Sequence, residues 1–443
     1  MKNSAKELIR QRFIEPTTSP RTNYIGVEHD PYSDVTQQQI TSPDGKLLTG
    51  EFGLERESLR VTRDGQMAHT PHPFPNDPHI VKDFCENQTE INTGVHTSAD
   101  AVIDELAEHT ERLNIVLKER GERLWFYSNP PRIKNADDIP IAFFEGDQSA
   151  KYHYRLYLAE KYGKLKMTLS GIHVNNSLSE KLLRQRFDAS SSEDFTAHKN
   201  EVYLRLAESL TAYGWIINLL LSASPVCDGS YFSPERIGEP VLTRYASLRC
   251  GEEGYWNSFT PQLSYDSVLS YALSIRRYLD SGALAGVSEL YYPIRLKPRG
   301  ANLLNTLVRN DVNHIEIRNV DINPFSPQGI DRRDLQFIEL LILYLVAEPS
   351  KQPQEIAVQN DKNAALFDID QAGITLPDGA VLPAREAGVR LLKRMQAFYA
   401  RGPYASDYSV KDILDYQVNK LTVKGARYAD RIAQRMDHIS SLF

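Results

Sequence analysis

Cysteine is scarce: the 443 residues contain three, Cys85, Cys227 and Cys250. Their odd number and wide spacing exclude a disulfide framework and a cysteine-rich zinc site, and point to a reducing compartment. Long apolar runs are missing as well. The two longest, 215–221 (interrupted by Asn218) and 340–347, fall far short of the roughly 18 residues that span a bilayer. Residues 1–15 are charged throughout and lack an apolar h-region, which argues against a secretory leader. The expected location is the cytoplasm, with no membrane partner. Blocks of lysine and arginine are absent and the formal charge is −7, so nucleic acid is excluded as the main partner. An anionic small molecule has to be met by local arginines or by metals. There is no internal repeat, and nothing specifies an oligomeric state. The apolar share of 41% and charged share of 25% are those of an ordinary globular protein. The length suffices for one large α/β body or for two or three domains.

What is present is organised around residues 53–61, Gly-Leu-Glu-Arg-Glu-Ser-Leu-Arg-Val. In an extended chain side chains alternate, so Glu55 and Glu57 share one face, roughly 6.5 to 7 Å apart, and Arg56, Ser58 and Arg60 share the other. Adjacent carboxylates repel unless a positive charge lies between them, and a divalent cation is the usual solution. The competing reading is a solvated edge strand whose charges discourage aggregation. Spacing alone does not decide, because residues 26–30 (Gly-Val-Glu-His-Asp) repeat it with no other sign of a site.

Elsewhere the pattern is coarser. Residues 1–50 begin with a short helical pattern and turn polar and proline-interrupted. After the 51–61 strand, Asp64-Gly65 signals a hairpin whose return strand starts at Gln66. The proline-rich 70–79 stretch reads as loop. Within 83–90, Asp83, Glu86 and Glu90 share a face if the segment is helical; the alternative is a capping box at a helix start. Helices are expected over 97–118, 151–161, 201–221 and 331–347, and strands over 124–127 and 167–174. Tyr154 and Leu158 lie at i, i+4, a spacing usual for core. His173 and Asn175 project together, although a lone strand-end histidine is more often structural. Arg249 and Tyr255 flank a glycine-containing loop, and Tyr291 to Arg295 precedes a break at Pro298 and Gly300. In 314–318, Ile315 and Ile317 face the core while Glu316 and Arg318 share the opposite face, which alone reads as part of a cross-strand ion pair. Residues 348–363 read as a polar linker and the remainder as mostly helical, with a loop at 377–379.

Taken in order, FGLERESLRV, DFCENQTE, SGIHVNN, SLRCGEEGY, YYPIRLK and HIEIRNVDINPF resemble the glutamate-cysteine ligase family, most closely the ligase module of bifunctional bacterial glutathione-synthesis proteins. The resemblance runs from about Glu51 to Ala347. It divides the chain into an N-terminal extension (1–50), a ligase-like catalytic domain (51–347) and a helical C-terminal region (348–443). The last is too short for the ATP-grasp unit of the bifunctional proteins, so the second step of glutathione synthesis is not expected.

The resemblance implies an α+β fold: a curved, mostly antiparallel sheet of glutamine-synthetase type with helices packed outside. It also implies ATP-dependent ligation of glutamate to cysteine through γ-glutamyl phosphate, with ATP and Mg²⁺ as cofactors and small molecules as the partners. By resemblance, Glu55, Glu57, Asp83, Glu90, His173 and Glu316 hold the metals, and His173 implies tolerance of Mn²⁺. Arg249 binds a substrate carboxylate and Arg318 the transferring phosphoryl group. Asn175 orients glutamate, while Phe84, Tyr154, Leu158, Tyr255 and Tyr291 line the acceptor pocket. Cys85, Asn92, Gly94, Tyr157 and Val174 depart from the family pattern, which leaves open the same mechanism with a different amine. Two further readings are a two-carboxylate hydrolase working without ATP, which leaves both arginines unexplained, and a binding protein without turnover.

Overall fold

The computed structural model describes residues 40–401, 404 and 406–436; the expected helical start of the chain and the acidic 26–30 stretch lie outside the described residues. The organising element is β1 (Glu51–Thr62), twelve residues whose alternation puts Glu55 and Glu57 on one face and Leu54, Arg56 and Arg60 on the other. The strands β2 (Ile80–Lys82), β3 (Gln88–Asn92), β4 (Glu122–Leu124), β5 (Ile172–Ser177), β6 (Ile294–Pro298) and β7 (Val312–Val320) complete an open sheet in the order β2-β3-β1-β5-β7-β6, with β4 on the far end of β1. Every ladder in it is antiparallel. Helices flank the sheet, so the fold is α+β.

Helix α1 (Ala99–Glu119) starts where expected because the Ser98 side chain accepts from Ala101 N–H. Leu106, Leu113 and Leu117 on it are fully buried. Helix α2 (Ser149–Tyr162) carries Tyr154 and Leu158. The expected 201–221 helix is two, α3 (Phe195–Tyr213) and α4 (Trp215–Leu221), parted at Gly214. Helix α5 (Arg332–Ala347) is buried along nearly its whole length, capped by Asp331.

Four other expectations are corrected. Residues 83–90 are not helical: β2 and β3 form a hairpin with Val81 opposite Glu90, closed by a turn in which Gln88 N–H donates to Cys85 C=O at 3.0 Å. Pairing of β3 with β1 satisfies this backbone and overrides local helical spacing. The return strand after Gly65 shrinks to a single Val61–Met67 bridge on the edge of β1 away from β4, where the turn of the β2–β3 hairpin takes the next backbone donor, Arg60 N–H to Asn87 C=O at 2.7 Å. The polar linker contains a helix, α6 (Gln354–Ala364), whose Ala357, Val358, Asn360 and Asp361 are buried. It reads as polar because Asn360 serves as a backbone surrogate, accepting from Thr375 N–H at 2.9 Å and donating to Thr375 C=O at 2.7 Å. The strand expected over 167–174 runs later, as β5. Among the described residues no helix is long and apolar enough to cross a membrane.

Behind the sheet, Arg56 and Arg60 are fully buried. Arg60 donates to Glu122 at 2.7 Å and to Thr70 C=O at 2.8 Å, tying β1 to β4. Breaking a buried pair from one side strands the other charge, so Arg60→Met is expected to cost about 3 to 5 kcal/mol in urea unfolding. Adding Glu122→Gln should recover much of it. A loss below roughly 1 kcal/mol, the scale of an exposed pair, would show that the ion pair is not what ties the strands.

Candidate active site

Strand register assembles the front face. Glu55 lies opposite Asn92 on β3 and His173 on β5, Glu57 opposite Glu90, Asn175 opposite Glu316 on β7, and Glu316 opposite Arg295 on β6. Because alternate residues share a face, Arg318 and Lys297 project beside them. The β2–β3 hairpin adds Asp83, and Glu86 turns away to Lys82 Nζ at 3.1 Å.

The contacts are close. His173 Nδ1 is 3.0 Å from Glu55 Oε2 and Asn175 Nδ2 donates to Glu55 Oε1 at 3.0 Å. Glu57 accepts from Gly171 N–H at 2.8 Å. Glu316 faces Arg318 Nη1 at 3.2 Å, Lys297 Nζ at 3.3 Å and Arg295 Nε at 3.4 Å. Glu55, His173 and Glu316 each bring a ligand atom within 4.8 Å of the others. The cross-strand ion pair is present, and the same Glu316 carboxylate belongs to the cluster with Glu55 and His173.

The charges divide the site in two. Burial opposes ionisation of Glu316, but Arg295, Arg318 and Lys297 hold its carboxyl well below the ordinary range. Glu55 is likewise held low against burial by its hydrogen bond to His173. On the other side, burial raises the Glu57 carboxyl, with Asp83 adding to it. Burial together with Asp83, Glu55 and Glu57 pushes Glu90 well above its usual value. One half has its counter-charges; the other is a group of acids without enough of them.

A cavity of about 1070 Å³ opens on this face and is lined by Glu55, Glu57, Asp83, Glu90, His173, Glu316 and Arg318, and by Phe84, Tyr154, Leu158, Tyr255 and Tyr291. The Tyr154 hydroxyl is buried with no protein hydrogen-bond partner, and the buried Tyr291 hydroxyl interacts with that of Tyr255. A second chamber of about 720 Å³ shares Glu55 and is otherwise lined by Asn92, Asn175, Ser177, Arg299, Asn313 and His314, among others.

Two of the expected residues sit elsewhere. Asn175 lines the second chamber, and Arg249 lines a side pocket with Tyr255, Tyr291 and Arg318. Arg249 packs on Gly171 so tightly that a Cβ there would lie 2.3 Å from its Cζ.

Arg295 and Lys297 were not anticipated, although their i, i+2 spacing in YYPIRLK puts two cations on one strand face. The departures from the family pattern largely avoid the main cavity. Cys85 is buried, with burial raising its thiol well above the usual value. Val174 is fully buried, and Tyr157 Oη is directed to Glu289 at 3.3 Å. Asn92 lines the second chamber.

Residues 37–283 and 276–366 match the model of the glutamate-cysteine ligase family. The glutathione biosynthesis bifunctional protein of Listeria monocytogenes serovar 1/2a is 35% identical over 412 residues, covering 88% of this chain and 52% of that protein. Its counterpart from Streptococcus thermophilus (strain CNRZ 1066) is 37% identical over 310 residues, covering 69% and 39%. The chain thus spans about half the length of the curated relatives it matches. Among solved structures, a bifunctional glutathione synthetase from Pasteurella multocida superposes with a TM-score of 0.76 at 26% identity, covering 89% of this chain and 51% of that one. A glutamate–cysteine ligase from Francisella tularensis in complex with AMP shares the fold, with a TM-score of 0.77 at 23% identity and coverage of 90% and 88%.

Proposed function

Since the chain belongs to the glutamate-cysteine ligase family, we propose that it joins the side-chain carboxylate of L-glutamate to the amine of L-cysteine, converting ATP to ADP and phosphate by way of γ-glutamyl phosphate. The observation that carries this reading is the meeting of two chambers at Glu55, with the other acids, His173 and Arg318 in the larger one. Phosphoryl transfer needs a nucleotide and an acceptor brought in line from opposite sides of one charge-compensating centre. A carboxylate is inert toward amines at neutral pH; as an acyl phosphate it has a leaving group.

Magnesium fits the donor set. Five carboxylates and one imidazole face one space; the buried Glu316 Oε2 and His173 Nε2 make no hydrogen bond of good geometry and have only ion-pair contacts, to Arg295 Nε at 3.4 Å and Glu57 Oε1 at 3.6 Å. Glu55, Glu57, Asp83, Glu90, His173 and Glu316 would hold it, and Mn²⁺ would be tolerated through the imidazole. Bound there, it would neutralise the phosphate oxygens.

The chain's own groups supply the rest. Asn92, Asn175, Ser177, Arg299 and His314 make the second chamber polar enough for a nucleotide. Arg318, whose charge Glu316 stabilises against burial, would grip the phosphoryl group as it moves between oxygens. Arg249, held on Gly171, would take an amino-acid carboxylate in the side pocket that Tyr255, Tyr291 and Arg318 share with the main chamber. The aromatic wall would seat the acceptor, with the Tyr154 hydroxyl free to donate to it. Asn175 would act through Glu55, which it holds, and so position a carboxylate.

Phosphate release from ATP and glutamate with Mg²⁺, measured across a panel of amino acids and simple amines, is expected to be fastest with cysteine. A different amine giving the highest kcat/KM would remove the acceptor assignment. Turnover without nucleotide would remove the mechanism.

A further inference from the structure

Away from the catalytic face, three histidines and a glutamate gather where α1 crosses the segment that follows β3. Glu105 and His109 lie one turn apart on α1 and His79 just precedes β2; each brings a ligand atom within 4.8 Å of the other two. His96 Nε2 is 2.5 Å from Glu105 Oε2. The rings of His79 and His109 stack with centroids 4.7 Å apart. His79 Nδ1 is 2.8 Å from Asn92 C=O. A carbonyl only accepts, so the proton is on Nδ1 and Nε2 keeps its lone pair. That outer contact orients a metal-binding imidazole in known sites.

We propose that His79, Glu105 and His109, with His96 as fourth ligand, form a binding site for a first-row divalent cation of the zinc type, separate from the catalytic carboxylates. The donor set decides the cation: imidazole nitrogens with one carboxylate suit Zn²⁺ or Co²⁺, whereas Mg²⁺ prefers oxygen. Zinc–nitrogen bonds of about 2.0 to 2.1 Å in a tetrahedron require the ligand atoms of His79, Glu105 and His109 to draw in from separations of up to 4.8 Å, and His96, which here reaches Glu105, to swing toward the other two. His96 and Glu105 are only partly buried, which leaves them room to do so and the ion a way in. Glu105 is already anchored by Gly94 N–H at 2.8 Å. Ligation through His109 Nε2 moves its proton to Nδ1, which now accepts from Arg112 at 3.0 Å. The exposed Arg112 must then turn fully onto Asp77, to which it is already paired at 2.5 Å. A network of hydrogen bonds alone explains His96 on Glu105 but gives His79 Nε2 no partner among the described residues. Occupancy would tie α1 to the Asn92–Gly94 segment, part of the wall of the second chamber.

The test is a titration of chelator-treated protein with Co²⁺ in excess Mg²⁺, which keeps the catalytic carboxylates out of competition, followed by visible absorption and displacement with Zn²⁺. One equivalent of Co²⁺ should give the bands of a four-coordinate site. His79→Asn and His109→Asn should each weaken binding by more than about 100-fold, since changes to outer-shell partners alone cost roughly 10- to 100-fold. Glu105→Gln, which keeps the Gly94 contact, should weaken it too, and His173→Asn should leave it intact. Melting curves in chelator establish that each variant is folded. Absence of Co²⁺ bands, bands that persist in His79→Asn and His109→Asn, or bands lost only in His173→Asn would overturn the site.

Discussion

Glu55→Gln is expected to lower glutamate-dependent ADP formation by at least about 10³-fold, the scale on which removing one preorganised electrostatic contact and a metal ligand together act. Gln keeps the shape of Glu55 and can still accept from Asn175, so the loss reports charge rather than collapse. Of the clustered acids Glu55 lines both chambers and touches His173 at 3.0 Å. Removing its charge should therefore raise the Mg²⁺ concentration needed for half-maximal rate as well as lower kcat. Near-normal ADP formation in a folded Glu55→Gln protein would sink the assignment of this face as the phosphoryl-transfer centre.

The second large effect separates function from stability. Glu90 stands among Asp83, Glu55 and Glu57 with burial pushing its carboxyl well above the ordinary value of 4.5. In the metal-free protein such a group contributes stability that is complete below about pH 4.5 and lost as pH rises toward its folded-state pKa. In chelator, wild-type melting temperature should therefore fall as pH is raised from 4.5, and Glu90→Gln should flatten that fall and melt higher at pH 8. Added Mg²⁺ should stabilise the wild type strongly and the variant less. Turnover should drop by at least about 10²-fold, since even outer-shell changes around a metal reach that range. A variant that melts below wild type in chelator at pH 8, and gains as much from Mg²⁺, would show that these carboxylates do not repel one another around a cation site.

Much of the site is legible in short stretches. Alternation in 53–61 and 314–318 puts Glu55 with Glu57, and Glu316 with Arg318, while Ile315 and Ile317 go to the core, where they are 1% and 0% exposed. The same rule applied to Arg295 and Lys297 finds the cations that hold Glu316 ionised. Where the reading failed, at 83–90, an i, i+3, i+7 acidic pattern was outweighed by backbone pairing with β1. A helix would have placed Glu86 beside Asp83 and Glu90. The hairpin instead sends Glu86 to Lys82, His72 N–H and Phe143 N–H. The helix inside the expected linker was hidden for a related reason, since its buried Asn360 is polar in composition and a backbone partner in space.

The order of the motifs, the face each charged residue takes on its own strand and the class of chemistry were set by the sequence alone, because side-chain alternation and helical period are properties of neighbouring residues. Which strands lie side by side was decided only in three dimensions. His173 meets Glu55 across 118 residues of chain, and Glu316 meets Asn175 by the β5–β7 register. Such pairings depend on which arrangement satisfies every buried backbone group and covers the apolar face of the whole sheet at once. For the same reason only the folded chain could separate a chamber holding Asn175 from one holding Tyr154, and set Arg249 behind Gly171 rather than in the open cavity.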